Sequence, residues 1–335
     1  MKKFLGLSLT LATAFALSAC SDDSASSAPE DNQPVSSDTV TPASSATVPE
    51  SSASLPLSSA SLPLSSAGLP LSSDAGTLLS SSSQTLPQSS ADVQPVPCVD
   101  GDPVEVVPDT NGFADIGNVF QSVRCDEKVV FVLRHGEREP YVTKESALTE
   151  DGVLQAQSVG QKLVSAESFT FTHTDYVRTE QTCLNIAIGR GQTSFPHDTS
   201  DVFQAGWYTK DSEKRTEYNH ADGYSSNKVI SEWVFTGNFA DAFYDLAEKS
   251  EEMISTYLAK SYDEMPRLRV VCSHDEFIVP FVSYLTDKAI NYRTYDMTLV
   301  PRPHWANYLS GAAIIINAAG ERRAYAVKGL DSGFE

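Results

Sequence analysis

The chain has 335 residues and a net charge of −20, and the part from residue 98 onward combines 22 basic with 36 acidic side chains. Such an acidic chain does not match the electrostatic profile of a nucleic-acid binder. Its net field also repels anions, so an anionic substrate would have to be captured by a local cluster of arginines.

Composition divides the chain into two parts. Residues 21–97 contain no aromatic side chain, no Lys and no Arg, and a Ser/Leu/Pro-rich heptad occurs three times in succession at 51–71. A segment of this composition cannot bury enough apolar surface to offset the entropy lost on ordering. We therefore predict a disordered linker over 20–97 and one globular domain over 98–335.

The N-terminus has the layout of a signal peptide over residues 1–19: MKK, an apolar run, and the sequence LSAC that ends at Cys20. This ending resembles the bacterial lipobox, which implies cleavage before Cys20 and a stable, doubly acylated membrane anchor on that residue. By analogy with lipoprotein sorting, Ser21 favours the outer membrane. We expect a lipid-anchored protein of the bacterial cell envelope, on its periplasmic or surface face. A simple secretory signal with an incidental cysteine is the alternative.

Four further cysteines follow Cys20. Cys98 and Cys125 flank a short segment before the first predicted core strand. An oxidising compartment would permit a disulfide between them, and the sequence leaves its formation open. Cys183 and Cys272 lie in apolar runs, where we expect buried free thiols. No Cys/His spacing in the chain suits zinc.

The first predicted elements alternate between strand and helix. KVVFVL at 128–133 is a continuous apolar run, typical of a buried parallel strand. Thr149 can cap a helix that begins near Asp151. A short strand is predicted at 169–174, and a second helix begins near Arg178. The apolar positions of the first helix are Val153, Leu154, Ala156, Val159 and Leu163.

The remaining elements continue this alternation. Residues 237–260 carry apolar side chains at helical spacing, LRVVC at 268–272 predicts a second buried strand, and FIVPFVSYL predicts a helix. The final apolar stretch predicts a hairpin that turns at Gly320. Residues 200–236 show no clear period, and we interpret them as an insertion over the site. The pattern predicts an α/β fold with three αβα layers and a mostly parallel sheet, finished by an antiparallel edge.

Both buried strands end in histidine-bearing loops. Arg134 and His135 begin the first loop, and His274 and Asp275 lie in the second. Because functional groups gather at the carboxyl ends of parallel strands, we expect these loops to share a site with Arg178. Phosphoryl transfer needs a nucleophile, cations around the phosphate oxygens and an acid for the leaving group, and these residues supply all three.

The motifs R-H-G-x-R-x-P at 134–140 and H-D at 274–275 resemble the histidine phosphatase superfamily, and specifically its acid phosphatase and phytase branch. The segments L-T-E-D-G at 148–152, R-T-E-Q-T at 178–182 and W-A-N-Y-L at 305–309 also resemble segments of that family. Together these motifs span most of the globular part, in family order. The implied fold is the three-layer, phosphoglycerate mutase-like fold.

The resemblance also implies a set of site residues. His135 would be the phosphorylated nucleophile and Asp275 the proton donor, with His274 in the phosphate pocket. The substrate-binding arginines would be Arg134, Arg138 and Arg178. No metal and no cofactor are implied for this reaction.

Several alternatives remain open at this point. Glu276 is a rival to Asp275 as donor, and Glu137 could serve if the domain used the donor geometry of the phosphoglycerate mutase branch. The other four histidines have no motif support, and we expect surface or packing roles for them: His173, His197, His220 and His304.

We therefore predict a phosphomonoester hydrolase that acts through a phosphohistidine on a phosphorylated small molecule outside the cytoplasm. The alternative from another class is a catalytically silent surface protein that binds a phosphorylated ligand or a glycan in the same pocket. A mutase is a third possibility. The sequence leaves substrate identity and oligomeric state open.

Overall fold

The computed structural model describes residues 83–85, 98, 100–102, 104–292 and 304–335. The predicted signal peptide, the lipidation site at Cys20 and nearly all of the predicted linker lie outside these residues. Within the described parts of the chain, no helix combines the length and the apolar character needed to cross a membrane.

Eight strands form one sheet in the order β1-β5-β4-β6-β3-β7-β8-β2. Four consecutive strands of this sheet, β5, β4, β6 and β3, run parallel to one another. The strands are β1 Ser83–Thr85, β2 Ala114–Asp115, β3 Glu127–Arg134, β4 Thr170–His173, β5 Ser194–Thr199, β6 Leu268–Ser273, β7 Ser310–Asn317 and β8 Arg322–Lys328.

The predicted strands 128–133, 169–174 and 268–272 are confirmed as β3, β4 and β6. The hairpin is confirmed too, since β7 and β8 pair antiparallel around Gly320, whose φ of 81° suits glycine. β7 also pairs antiparallel with β3, so the hairpin extends the parallel part of the sheet on one side.

The described residues contain seven α-helices, and six of them pack on the two faces of the sheet. α1, α2 and α3 pack on one face, and α5, α6 and α7 contribute to the apolar cluster on the other face. This arrangement confirms the three-layer α/β architecture. The helices are α1 Ile116–Gln121, α2 Glu150–Lys162, α3 Val177–Gly189, α4 Ser212–His220, α5 Ser226–Thr236, α6 Leu246–Met253 and α7 Asp275–Leu285.

The helix predicted after Thr149 is confirmed as α2, and the Thr149 hydroxyl accepts a 3.0 Å hydrogen bond from the Gly152 amide. One of its assigned apolar positions is wrong. Leu154 is 62% exposed, whereas Ala156, Val159 and Leu163 are fully buried. Leu154 is the residue that the helical rotation turns away from the sheet.

The helix predicted over 237–260 is wrong in its first third. Gly237 ends α5 in a left-handed conformation, and Asp245 caps a new helix by accepting from the Glu248 amide. α6 therefore starts at Leu246 and is followed by a π turn, Ile254–Leu258. Phe239 and Phe243 still contact the core, but from the connecting segment.

The segment 200–236, which shows no clear period, contains two 3₁₀ turns followed by α4 and α5. α5 buries Val229, Ile230, Trp233 and Val234 against the core. The sequence of 200–236 shows no overall period because the amphipathic pattern of α5 is short and follows the polar α4, which buries no residue. Gln204, Ala205 and Asn227 reach the cavity described below, so part of the segment does border the site.

Two disulfides are present in the described residues. Cys98–Cys125 forms as the sequence permitted. The prediction of free thiols at Cys183 and Cys272 is wrong, because these residues form a second disulfide between α3 and β6. Their Cα atoms are 6.1 Å apart. The two residues are 89 positions apart, so no local pattern could pair them.

Three described residues lie within the predicted linker. Ser83–Thr85 form an edge strand that pairs antiparallel with Ser194–Pro196 of β5. An edge strand presents unpaired backbone donors and acceptors, and a polar segment can satisfy them without any apolar pattern of its own.

Candidate active site

The two histidine-bearing loops lie side by side because β3 and β6 are adjacent and parallel. Arg134 pairs in register with Ser273 at the ends of these strands. The His135 amide then donates a 2.9 Å hydrogen bond to the Ser273 carbonyl, so the pairing continues into the loops. The predicted convergence of the loops is confirmed.

Two glycines allow the first loop to sit against α2. A Cβ on Gly152 would lie 2.1 Å from the Glu137 carbonyl oxygen, and one on Gly136 would lie 3.1 Å from the Gly152 carbonyl oxygen. The Gly136 amide donates to the Thr182 hydroxyl of α3 at 2.9 Å. The loop that follows His135 is thus held by both neighbouring helices.

His135 is 2% exposed, and its Nδ1 lies 2.7 Å from the Gly136 carbonyl oxygen. A carbonyl can only accept, so Nδ1 carries the proton and Nε2 keeps its lone pair. Burial and the positive charge of Arg134 hold the pKa of His135 well below its usual range. His135 is therefore neutral near pH 7, with Nε2 as a potential nucleophile.

His274 faces His135, with ring centroids 5.5 Å apart. Its Nδ1 accepts from Arg178 Nη2 at 3.3 Å, and its Nε2 then donates to the Thr174 hydroxyl at 2.9 Å. Burial and the Arg178 charge lower the pKa of His274 to about 4. Its ring is thus neutral and fixed in orientation.

Three arginines surround the histidine pair. Arg134 and Arg178 are each 5% exposed, and Arg138 is half-buried. Arg134 lies with its guanidinium 4.2 Å from the Tyr308 ring centroid, and Arg178 lies 4.4 Å from that of Tyr176. Stacking on an aromatic face orients the fork of donors without neutralising its charge.

Asp275 begins α7 and receives a 2.8 Å hydrogen bond from Trp305 Nε1. The same oxygen lies 3.5 Å from Arg134 Nη2. Burial raises the pKa of Asp275, but the Arg134 charge and the Trp305 hydrogen bond outweigh it and leave the pKa below its usual value. Asp275 is thus ionised at neutral pH.

The two alternative donors, Glu276 and Glu137, are less well placed than Asp275. Glu276 borders the cavity, but it pairs with Arg215 at 2.5 Å and accepts a hydrogen bond from Ser226. Glu137 is not among the residues that line the cavity. Asp275 is therefore the better placed of the three to act on a group bound beside His135.

These side chains line one open cavity of about 750 Å³. All six residues predicted for the site lie on its wall, and the two strand ends and α3 bring them together. The motifs did not single out several others that also line it. These are Val142, Thr143, Lys144, Tyr176, Gln204, Ala205, Asn227 and Glu335.

Among the residues that the motifs missed, Glu335 and Trp305 have the clearest consequences. The Glu335 carboxylate lies 2.7 Å from Arg134 Nη1, opposite the side that Asp275 occupies. In the sequence, Trp305 stands out only as part of the W-A-N-Y-L segment, which also contains the cavity-lining residue Tyr308. The motif indicated the importance of this segment but not which side chains contact the site.

Comparison with known protein families gives a match over the part of the chain that forms this site. The model of the histidine phosphatase superfamily (branch 1) matches residues 130–298, which is half of the chain and includes both histidine loops. The chain belongs to the histidine phosphatase superfamily. The match is to the superfamily, and it does not extend to the narrower resemblance to the acid phosphatase and phytase branch.

Solved structures give matches of low identity to this histidine phosphatase domain. Phosphoglycerate mutase from Bacillus anthracis is 15% identical, with 60% of this chain and 93% of that chain covered and a TM-score of 0.41. Phosphoserine phosphatase from Entamoeba histolytica is 14% identical over 61% and 98% of the two chains, with a TM-score of 0.40. Mycobacterial glucosyl-3-phosphoglycerate phosphatase is 13% identical over 60% and 99%, with a TM-score of 0.36. No curated protein sequence matches the chain.

Proposed function

We propose that this protein hydrolyses phosphomonoesters through a phosphohistidine formed on His135. The observation that carries the proposal is the state of the His135 ring. Its Nδ1 proton is held by the Gly136 carbonyl, so Nε2 has a free lone pair in a pocket walled by three arginines. A neutral, oriented imidazole beside cations for the phosphate oxygens is what attack on phosphorus requires.

In the first step, the Nε2 lone pair of His135 forms a bond to phosphorus and the bond to the ester oxygen breaks. Arg134, Arg138 and Arg178 hold the equatorial oxygens, where their charge compensates the charge of the transferring group. The ester oxygen leaves with the proton of the Asp275 carboxyl group. The products of this step are an alcohol, a phosphorylated His135 and an Asp275 carboxylate.

In the second step, water attacks phosphorus and the bond from phosphorus to Nε2 breaks. Asp275 accepts the proton of the attacking water, which is the reverse of its first role. Inorganic phosphate leaves, and both His135 and Asp275 return to their starting states. The step consumes only water and needs no redox partner.

We assign the donor role to Asp275, as the resemblance to the acid phosphatase and phytase branch implies. Its support here is positional, since Asp275 lines the cavity while Glu276 is held by Arg215 and Ser226. A bound phosphate dianion would offset the Arg134 charge that keeps Asp275 ionised, and its pKa would then rise. Substrate binding thus prepares the donor.

We also propose that the protein acts at the cell envelope, anchored through Cys20. The lipobox-like sequence supports this location, and two disulfides in the described residues fit an oxidising compartment. The test compares membrane fractions and labelled-palmitate incorporation for the wild type and Cys20→Ala. Label in both proteins, or in neither, would contradict the anchor.

The central experiment measures hydrolysis of p-nitrophenyl phosphate by the wild type, His135→Ala and His220→Ala. His220 is exposed and does not line the cavity, so its variant controls for the loss of an imidazole. We expect His135→Ala to lose at least about 10³-fold in kcat/KM and His220→Ala to retain full turnover. Rapid quenching in alkali with a ³²P-labelled substrate should trap acid-labile label on the wild type and on His220→Ala, but not on His135→Ala.

The same experiment separates the proposal from a silent binding protein. Folded wild type without turnover between about pH 4 and pH 8, but with phosphate binding that His135→Ala retains, would favour the binder. Return of the label to a second alcohol instead of water would favour a mutase. Either result would overturn the hydrolase proposal.

A further inference from the structure

A second cluster of ligating side chains lies outside the phosphate cavity. It comprises His173 at the end of β4, Glu180 in the first turn of α3, and His197 in β5. One imidazole nitrogen from each histidine and one carboxylate oxygen all lie within 4.8 Å of one another. The cluster exists because β4 and β5 are parallel neighbours and α3 crosses above them.

In both histidines the backbone holds the same ring nitrogen. His173 Nδ1 lies 2.8 Å from the Thr174 carbonyl oxygen, and His197 Nδ1 lies 2.9 Å from the Phe195 carbonyl oxygen. Carbonyls only accept, so each Nδ1 carries the proton and each Nε2 keeps a lone pair. Metal-binding histidines commonly show this arrangement, because a backbone acceptor fixes the tautomer and raises the basicity of the other nitrogen.

His173 supplies an independent indication of a ligand. It is 4% exposed, and its Nε2 is buried without a hydrogen-bond partner among the described residues. A buried acceptor is normally satisfied, so this lone pair is available to bind a ligand. The His173 and His197 rings stack on each other, with centroids 5.3 Å apart.

We propose that His173, Glu180 and His197 bind a divalent transition-metal ion, with zinc as the best fit. Two imidazoles and one carboxylate suit zinc and disfavour magnesium and calcium, which prefer oxygen ligands. A tetrahedral zinc ion holds its ligand atoms about 3.4 Å apart, so the ligand atoms need only a small approach. The half-buried Glu180 side chain can make that approach, and a water molecule would complete the coordination.

The ion would strengthen the connection that positions the phosphate pocket. His173 precedes Thr174, whose hydroxyl accepts from His274, and Glu180 lies two residues after Arg178. The proposed ion would tie the end of β4 to the start of α3 and so hold both pocket residues. It takes no part in the phosphoryl transfer.

The spacing of the ligands explains why the sequence did not predict this site. Intervals of 7 and 17 positions along the chain separate the three residues, and they match no zinc-binding pattern. They meet only through the parallel pairing of β4 with β5 and the packing of α3.

The test uses the full-length chain, stripped of metal with a chelator and titrated with Co²⁺ and then Zn²⁺. The visible absorption of Co²⁺ reports ligand number and geometry. Saturating inorganic phosphate is present throughout, so that the His135 and His274 pair is occupied. The variants are His197→Gln, Glu180→Gln and His135→Ala, with His220→Gln as the matched control.

We expect the wild type and His220→Gln to bind one equivalent of Co²⁺ that Zn²⁺ displaces. His197→Gln should bind at least about tenfold more weakly, and Glu180→Gln should change the spectrum. Zinc should also raise the melting temperature of the wild type but not of His197→Gln. Circular dichroism checks that each variant is folded.

Two results would overturn the proposal. One is the absence of stoichiometric Co²⁺ or Zn²⁺ binding by the folded wild type. The other is binding that His197→Gln retains and His135→Ala loses, which would place the metal on the active-site histidines.

Discussion

Trp305 Nε1 donates a 2.8 Å hydrogen bond to Asp275 Oδ2, across 30 positions of the chain. Burial of Asp275 raises its pKa, and this bond acts with the Arg134 charge to lower it below its usual value. Trp305 therefore sets the proton affinity of the proposed donor without belonging to either histidine motif.

Trp305→Phe tests this relationship by removing the donor while keeping an aromatic ring. We expect the pKa of Asp275 to rise, so the decline of kcat/KM with increasing pH should move to higher pH. Full pH profiles with an alkyl phosphate measure the shift. An unchanged profile in a folded variant would show that the bond does not control the donor.

Asp275→Asn tests the donor through the leaving group. Because an alkoxide needs a proton and p-nitrophenolate does not, we expect turnover of an alkyl phosphate to fall about 10²- to 10⁴-fold, with a much smaller loss for p-nitrophenyl phosphate. Glu276→Gln is the matched control, and it should affect both substrates alike. Equal losses for both substrates in Asp275→Asn would exclude the donor role.

Gly152→Ala tests the packing of the first loop against α2. The new Cβ would lie 2.1 Å from the Glu137 carbonyl oxygen, so the loop bearing His135 must shift. We expect a loss of about 1–3 kcal/mol in unfolding free energy and reduced turnover. Gly206→Ala, whose Cβ would meet nothing within 4 Å, should change stability by less than about 0.5 kcal/mol. Urea unfolding of both variants measures the difference.

The buried histidines predict a loss of stability in acid. Burial and Arg178 lower the pKa of His274 to about 4, whereas an unfolded histidine binds its proton near 6.5. The unfolded state therefore binds more protons between these values, and the contribution of His274 is complete above pH 6.5 and lost towards pH 4. The loss is about 3 kcal/mol for His274 alone, and His135 acts in the same direction.

Denaturant unfolding at several pH values between about 4 and 7 checks this expectation for the wild type, His274→Gln and His220→Gln. The pH slope should be smaller in His274→Gln and unchanged in His220→Gln. A wild-type slope that His274→Gln retains in full would mean that other groups cause the acid sensitivity.

The two disulfides predict unequal stabilisation. The Cys183–Cys272 link closes 89 positions and Cys98–Cys125 closes 27. Loop-closure entropy gives about 4 to 5 kcal/mol for the first and about 3 to 4 kcal/mol for the second. Double alanine variants of each pair, compared by urea unfolding, test the order. Thiol titration of the denatured wild type that finds Cys183 and Cys272 free would contradict the longer link.

Local sequence determined most of the sheet and the location of the active site. The runs 128–133 and 268–272 are apolar on both faces apart from Lys128 and Arg269, which favours buried strands, and each changes abruptly to polar residues where the strand ends. Parallel pairing then brings His135 and His274 together at one edge. The motif order was sufficient to identify the six predicted wall residues.

Tertiary structure alone decided the contacts between distant segments. The Cys183–Cys272 disulfide, the bond from Trp305 to Asp275 and the cluster around His173 each join residues on different elements. Hydrophobic periodicity reports which face of an element is buried, but it does not report which other element covers that face. These pairings depend on strand order and helix packing, which set distances between side chains far apart in the chain.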